Sequence, residues 1–294
     1  MNSAGYPRLL SEIHSPPEIL HVKGTLVKED EAAVAIVGTR AATPYGLAIA
    51  GQLAEELVGC GVTVVSGLAE GIDAAAHEGA LKAGGRTIAV VGHGLSRIYP
   101  SQHRELAERI AESGCIVSEF PMGMPPLREN FPQRNRIISG LSLGTVVVEA
   151  PFKSGALITA RFAMEQGREV FAVPGPISSR QSEGTHALLK DGAKLVGRVE
   201  DILEELAPHL KEYLKRYDVP KGPSVRRTGV DLDRCLTGEE SRVFQAVPVG
   251  SGTGLEAIAR ATALQPARLL SVLTGLELKG LVRQAPGRGF SRAG

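Results

Sequence analysis

Cations gather in this chain at places where an α/β fold puts its function. The densest group is "LRENFPQRNR", in which Arg128, Arg134 and Arg136 surround Phe131 and Asn135. Aromatic residues make up only 4% of the chain and Trp is absent, so a phenylalanine in such polar company stands out. An arginine beside an aromatic ring suits a single strand of nucleic acid, the ring stacking on a base and the guanidinium meeting a phosphate. Phe131 also reads as a hydrophobic staple reaching into the core. The arginines also read as a structural network with Glu119, Glu129 or Glu149. Two further cations have comparable settings. Arg40 ends "GTR" (Gly38, Thr39, Arg40) after an apolar run, and Lys153 and Ser154 precede a helix expected to begin near Gly155. Backbone N–H groups at such helix starts favour an anion. What these places share is anion binding.

Other residue pairs suggest acid–base or metal chemistry and carry it less far. Asp73 and His77 are four apart and share a helix face. With no third ligand apparent, a helix cap plus a packed histidine is the simpler reading than half a metal site. His93 has no GxSxG elbow to serve, and Arg97 and Arg104 add basic character nearby. After Gly38 the next glycine is Gly46, so GxGxxG is absent, and the second strand ends in Ser66-Gly67 with no acid placed for a ribose. There is no GxxxxGK[ST] loop either. A dinucleotide cofactor and a P-loop nucleotide are therefore not expected, nor is a metal. The residues offer no nucleophile, base and orienter set, so no catalytic residue is expected.

The elements that must position these residues show in the hydrophobic pattern. "VAIVG", "VTVVSG", "TIAVVG", "CIVSE", "TVVVEA" and "EVFAVPG" are continuous apolar runs, the mark of strands buried on both faces, and helical segments alternate with them. The expected fold class is α/β, an extended Rossmann-like, doubly wound and mostly parallel sheet. Such sheets bind ligands beyond the carboxyl ends of their strands, where Arg40, the Arg128–Arg136 group and Lys153 all fall. In "NFPQRNRIISG" Pro132 reads as the first helical residue. That would set Arg134 and Arg136 in the first turn, against the helix dipole. Residues 1–32 read as a lead packing on this domain, 33–207 as the Rossmann-like domain, 208–235 as a charged linker and 236–294 as a helix–helix–helix–hairpin unit, the order of a winged helix. Some winged helices bind DNA and some bind protein.

Composition narrows the class. At 43% hydrophobic residues the 294-residue chain can bury a sizeable core. It has no apolar run of about 18 residues that would span a membrane, and its start lacks the basic and apolar regions of a signal peptide. Cys60, Cys115 and Cys235 are scattered, without a CxxC pair. That fits a reducing cytoplasm. The net charge of +1 hides an asymmetry: residues 1–207 hold 19 Lys and Arg against 24 Asp and Glu, and residues 208–294 hold 14 against 8. The tail alone carries the overall bias of a nucleic-acid contact.

Taken in order, "VAIVGTR", "SGLAEGIDAAAH", "TIAVVGHGL", "SEFPMGMPPLRENFPQRNRIISGLS", "VVVEAPFKSGALITARFAMEQGREVFAVPG" and "GTHALLKDGA" resemble the DNA-processing protein DprA (Smf) family over about residues 6–206. A winged-helix tail is common in that family. The resemblance implies a cytoplasmic, non-enzymatic protein that binds single-stranded DNA, loads RecA onto it and protects incoming DNA during natural transformation. It also implies DNA contacts by Arg40, Arg128 and Lys153, with Phe131 and Asn135 in the same pocket. A homodimer through later helices carrying Met164 and Leu189 is implied as well. About 30 residues precede the first strand, too few for the small SAM-like domain of longer members. Fragments such as "GTVVVEA" also resemble the LOG family of nucleotide phosphoribohydrolases. In that alternative the chain would release the base from a nucleoside monophosphate, with Glu149 as the catalytic candidate.

Overall fold

Every residue of Ala33–Val37 is buried, as are all four of Thr63–Ser66, Thr87–Val90, Cys115–Ser118 and Gly144–Val147. Strands without a polar face need cover on both sides, which parallel β–α–β connections provide. The computed structural model describes residues 5–216, 238–248, 252–278, 281–285 and 289–292. It divides into two compact units, Met1–His209 and Leu210–Gly294.

The first unit is built on an eight-stranded sheet. Its strands are β1 (His21–Gly24), β2 (Ala33–Val37), β3 (Thr63–Ser66), β4 (Thr87–Val90), β5 (Cys115–Ser118), β6 (Gly144–Val147), β7 (Glu169–Ala172) and β8 (Lys194–Leu195). They lie in the order β1-β5-β4-β3-β2-β6-β7-β8. All neighbours are parallel except β1, which runs antiparallel to β5 with His21 opposite Ser118. The chain adds strands outward from β2 to β5, then returns to the other side of β2 with β6. The direction of winding thus reverses between β2 and β6, where Val37 pairs with Val147. A crevice opens outside the carboxyl ends at such a reversal.

Helices α1 (Arg8–Ser11), α2 (Pro44–Gly59), α3 (Ile72–Lys82), α4 (Arg104–Ser113), α5 (Asn130–Gly140), α6 (Gly155–Glu165), α7 (Glu183–Lys190) and α8 (Val199–Arg216) complete the unit. Pro44 opens α2 and Thr43 caps it, its hydroxyl accepting from Gly46 N at 3.2 Å. The lead is anchored by Leu10 and Ile13, which join Ile137 and Ile138 of α5 in the main core cluster. Two expected boundaries move. Helix α5 begins at Asn130, so Pro132 is its third residue and Arg134 and Arg136 lie beyond the first turn. Proline fits there because the first helical N–H groups have no intrahelical partner. Helix α8 runs on through residue 208, where the linker was expected to begin, and carries Pro208 inside it. From residue 217 the expected linker lies outside the described residues.

The second unit has α9 (Gly238–Ala246), β9 (Thr253–Gly254), α10 (Leu255–Thr262), α11 (Pro266–Leu278), β10 (Val282–Ala285) and β11 (Gly289–Arg292). Strands β10 and β11 pair antiparallel and β9 adds to β11. Val243, Ile258, Leu269, Leu273 and Phe290 form a separate core.

Candidate functional site

The loop after β2 is held from two sides. Thr39 N donates to the Glu149 carbonyl at 2.7 Å, tying the β2 exit to the β6 exit, and Ile72 N donates to Thr39 O at 3.3 Å. Thr39 is buried and its hydroxyl accepts from Ala41 N at 3.2 Å, so it shapes the loop. Gly71, at φ +80°, lies under this loop, where a Cβ would come within 2.5 Å of Thr39 O and 2.6 Å of Arg40 O. The result is a tight turn with the Arg40 side chain outside, exposed.

The N-terminus of α2 next to it was expected to suit a phosphate. It is already filled from within. The buried Glu149 carboxylate accepts from Thr43 N at 2.9 Å and from the Thr43 hydroxyl at 2.5 Å. A Cβ on Gly46 would stand 2.3 Å from its Oε2, so glycine there makes room for the carboxylate. The negative charge complements the helix dipole. Both oxygens of Glu149 are thus spent on the helix cap, the opposite of a carboxylate poised over a nucleotide.

The arginines of α5 part company. Arg134 is 4% exposed and Nη1 donates to Gly67 O at 2.8 Å and to Val90 O, linking the exits of β3 and β4. Asp73 faces it and accepts from Gly67 N at 3.1 Å and Ala69 N at 3.4 Å. Burial pushes the Asp73 carboxyl up and the Arg134 charge pulls it back. Burial likewise lowers Arg134 to about 10, against the pull of Asp73, which leaves it cationic at neutral pH. Arg136 grips Glu119 with both terminal nitrogens, at 2.8 and 2.7 Å. Asn135 Nδ2 donates to Gly155 O at 3.2 Å and ties α5 to the start of α6. Arg134, Asn135 and Arg136 were expected among the DNA contacts. All three have protein partners in this structure, at the sheet exits, at the start of α6 and at Glu119.

Phe131 answers differently. It is half-buried, lies outside the core clusters, and has Arg40 Cζ 5.6 Å and Arg134 Cζ 5.9 Å from its ring centre. Its ring centre is also 5.9 Å from that of Tyr99, with the planes at 48°. The ring is therefore part of a surface shared by the exits of β2, β4 and β5. Arg128 and Lys153 are exposed, and Ser154 caps α6 by accepting from Ala156 N at 3.2 Å. Arg97 and Arg104 are exposed too.

Asp73 is not a cap: the capping position of α3 is Gly71, and the carboxylate turns back to the preceding loop. His77 is fully buried against Thr87 at 2.7 Å, the packed histidine of the simpler reading. His93 is buried and engages Gly94 O at 3.0 Å and Tyr99 N at 3.3 Å. Met164 is 51% exposed on α6, whereas Leu189 packs half-buried on the core of its own unit. The aromatic residues Tyr99 and Phe152, exposed at 45% and 68%, were missed. The signal that singled out Phe131, an aromatic among polar neighbours in an aromatic-poor chain, applies to both. Among the described residues no three His, Cys, Asp or Glu side chains cluster as metal ligands, and no helix is long and apolar enough to cross a membrane.

Comparison with known proteins gives one consistent answer. The family model described as DNA recombination-mediator protein A matches residues 1–207, and the DprA winged-helix domain model matches residues 225–288. Protein Smf of Escherichia coli is 51% identical over 206 residues, 70% of this chain and 55% of its own, so the chain spans about half the length of that relative. The X-ray structure of DNA processing protein A from Streptococcus pneumoniae superposes with a TM-score of 0.67 at 45% identity, covering 69% of this chain and 71% of that one. DNA processing protein A from Helicobacter pylori, whose structure was described for its single-stranded DNA binding mode, gives a TM-score of 0.64 at 33% identity, over 71% and 94%.

Proposed function

The chain belongs to the DNA recombination-mediator protein A family, and for this member we propose single-stranded DNA binding at the crevice between β2 and β6, in the service of recombination. The observation that carries the site is the exposed Arg40 guanidinium lying 5.6 Å from the half-exposed Phe131 ring. A cation and a π-face side by side match a phosphate and its neighbouring base. Arg128 and Lys153 extend the positive rim along the strand, and Gly38, Thr39 and Ser154 shape the loops that present it. Arg134, Asn135 and Arg136 act from beneath, fixing α5 so that Phe131 stays at the surface. The protein protects incoming DNA and hands it to RecA in the cytoplasm of a transformable cell. It works as a homodimer through the face bearing Met164, which lets two pockets share one strand. No catalytic step is part of this role. The hydrolase alternative loses its main support because Glu149 is committed to Thr43.

Arg40→Ala and Lys153→Ala are expected to weaken single-strand binding in low salt, each by roughly tenfold, and to lower the salt slope by about 1 apiece. Fluorescence anisotropy with a labelled oligonucleotide measures both. Unchanged affinity in folded variants would remove the pocket from this reading.

A further inference from the structure

Tyr99 is an exposed aromatic against the Phe131 ring that the proposed pocket leaves without a task. Its ring touches that of Phe131, with centres 5.9 Å apart and planes at 48°. Arg40 lies 5.6 Å from the centre of the same Phe131 ring. Tyr6 and Tyr45 lock their hydroxyls onto the carbonyls of Pro17 and Pro174 at 2.8 and 3.0 Å. The Tyr99 hydroxyl makes no such bond among the described residues. Its backbone is nonetheless held firmly. Tyr99 N donates to His93 Nε2 at 3.3 Å, and the other ring nitrogen of His93 meets Gly94 O at 3.0 Å. His93 therefore serves as a neutral, Nδ1-protonated acceptor. Its own carbonyl accepts from the Ser118 hydroxyl at 2.7 Å. Gly94 N and Ser96 N donate to Met124 O and Met122 O at 2.9 and 3.0 Å. The loop after β4 thus fixes where an exposed ring stands while leaving that ring's own polar group free.

We infer that Tyr99 is a second nucleobase-stacking residue, extending the Phe131 surface so that successive bases of one strand each find a ring. This rests on the single-strand reading above. The two rings already touch, so a base stacks on their outer surface and does not insert between them. Stacking on π-faces is sequence-tolerant and independent of phosphate, which separates this role from that of Arg40.

The test uses the full-length protein with a short oligothymidylate and with an abasic oligomer of equal length. Tyr99→Ala is expected to bind oligothymidylate about tenfold more weakly. It should bind the abasic oligomer as the wild type does and keep the wild-type salt slope. Tyr99→Phe keeps the ring and should keep full affinity. Because the chain lacks Trp, tyrosine emission reports directly, and the quenching produced by oligothymidylate should shrink in Tyr99→Phe. Thermal unfolding midpoints check that each variant is folded. Wild-type affinity in Tyr99→Ala alongside weakened Arg40→Ala would overturn the inference and leave the pocket standing. Wild-type affinity in both would overturn the two together. Equal weakening on the abasic oligomer would also overturn the stacking role.

Discussion

Arg134 shows how a functional-looking residue can serve function from below. Its charge is buried at 4% exposure, its Nη1 donates to the carbonyls of Gly67 and Val90, and Asp73 supplies the countercharge. Removing one partner of a buried pair leaves the other uncompensated, which costs far more than the pair's net worth. Arg134→Met is therefore expected to lower unfolding free energy by about 3–5 kcal/mol, read from urea midpoints. An Arg134→Met, Asp73→Asn double variant should recover part of that loss. A single-variant loss below about 1 kcal/mol, the range of exposed pairs, would contradict this account. Arg40, three residues past the end of β2 and exposed, makes no buried ion pair or hydrogen bond of that kind among the described residues. Its truncation should spare stability while weakening DNA binding.

At the scale of elements, His77 stitches α3 to β4. The Thr87 hydroxyl donates to Val64 O at 2.8 Å, so it accepts from His77 Nδ1–H, and the buried Nε2 has no hydrogen-bond partner among the described residues to hold a second proton. Burial, first, and the charges of His103 and Arg134 hold its pKa at about 3, against 6.5 in the unfolded chain. Below about pH 6.5 the unfolded chain binds a proton that the native state refuses. The stabilisation is complete above that pH and is lost as pH falls toward 3, by about 2 kcal/mol at pH 5. Wild type should therefore lose more stability between pH 7 and pH 5 than His77→Gln, whose amide does not titrate. Equal losses would show that His77 carries a proton in the native state. The strands that frame this contact were legible in the sequence because parallel strands covered on both faces read as unbroken apolar runs. Helix starts were less so. With α5 starting at Asn130, Arg134 and Asn135 turn out to be buried, and residue type alone does not report which side of a helix meets the sheet. The partners Gly67 and Gly155 offer backbone carbonyls that spacing does not mark, whereas Glu119, which holds Arg136, was among the acids the sequence offered. The filling of the α2 N-terminus by Glu149 was hidden in the same way, since it depends on β2 and β6 being neighbours. The exposed positions of Arg40, Arg128 and Lys153 were readable because a strand exit followed by a helix start leaves little choice of location.

Across the whole molecule the positive charge and the proposed site are divided between units. The rim residues Arg40, Arg128, Phe131 and Lys153 belong to the first unit, yet residues 1–207 carry a net charge of −5, from 19 Lys and Arg against 24 Asp and Glu. Binding by this unit must then rest on the local cluster and not on its overall field. The second unit matches the DprA winged-helix model, but its α11 has one cation, Arg268, and that is paired with Glu239 at 2.9 Å. Leu270 on the same helix is 45% exposed. Of the 14 Lys and Arg in residues 208–294, seven precede residue 238, where α9 begins. A helix that reads a duplex groove commonly brings several cations to the phosphates, and α11 brings one, already paired. Deleting residues 222–294 is therefore expected to leave single-strand affinity and its salt slope within about threefold and one charge of the full chain. The full chain should gain no band with duplex DNA over the truncated one at physiological salt. Gel shifts with both DNA forms, on both proteins, decide it. A loss of single-strand binding on deletion would place part of the grip in the tail. A duplex band that needs the tail would make the winged helix a second DNA contact.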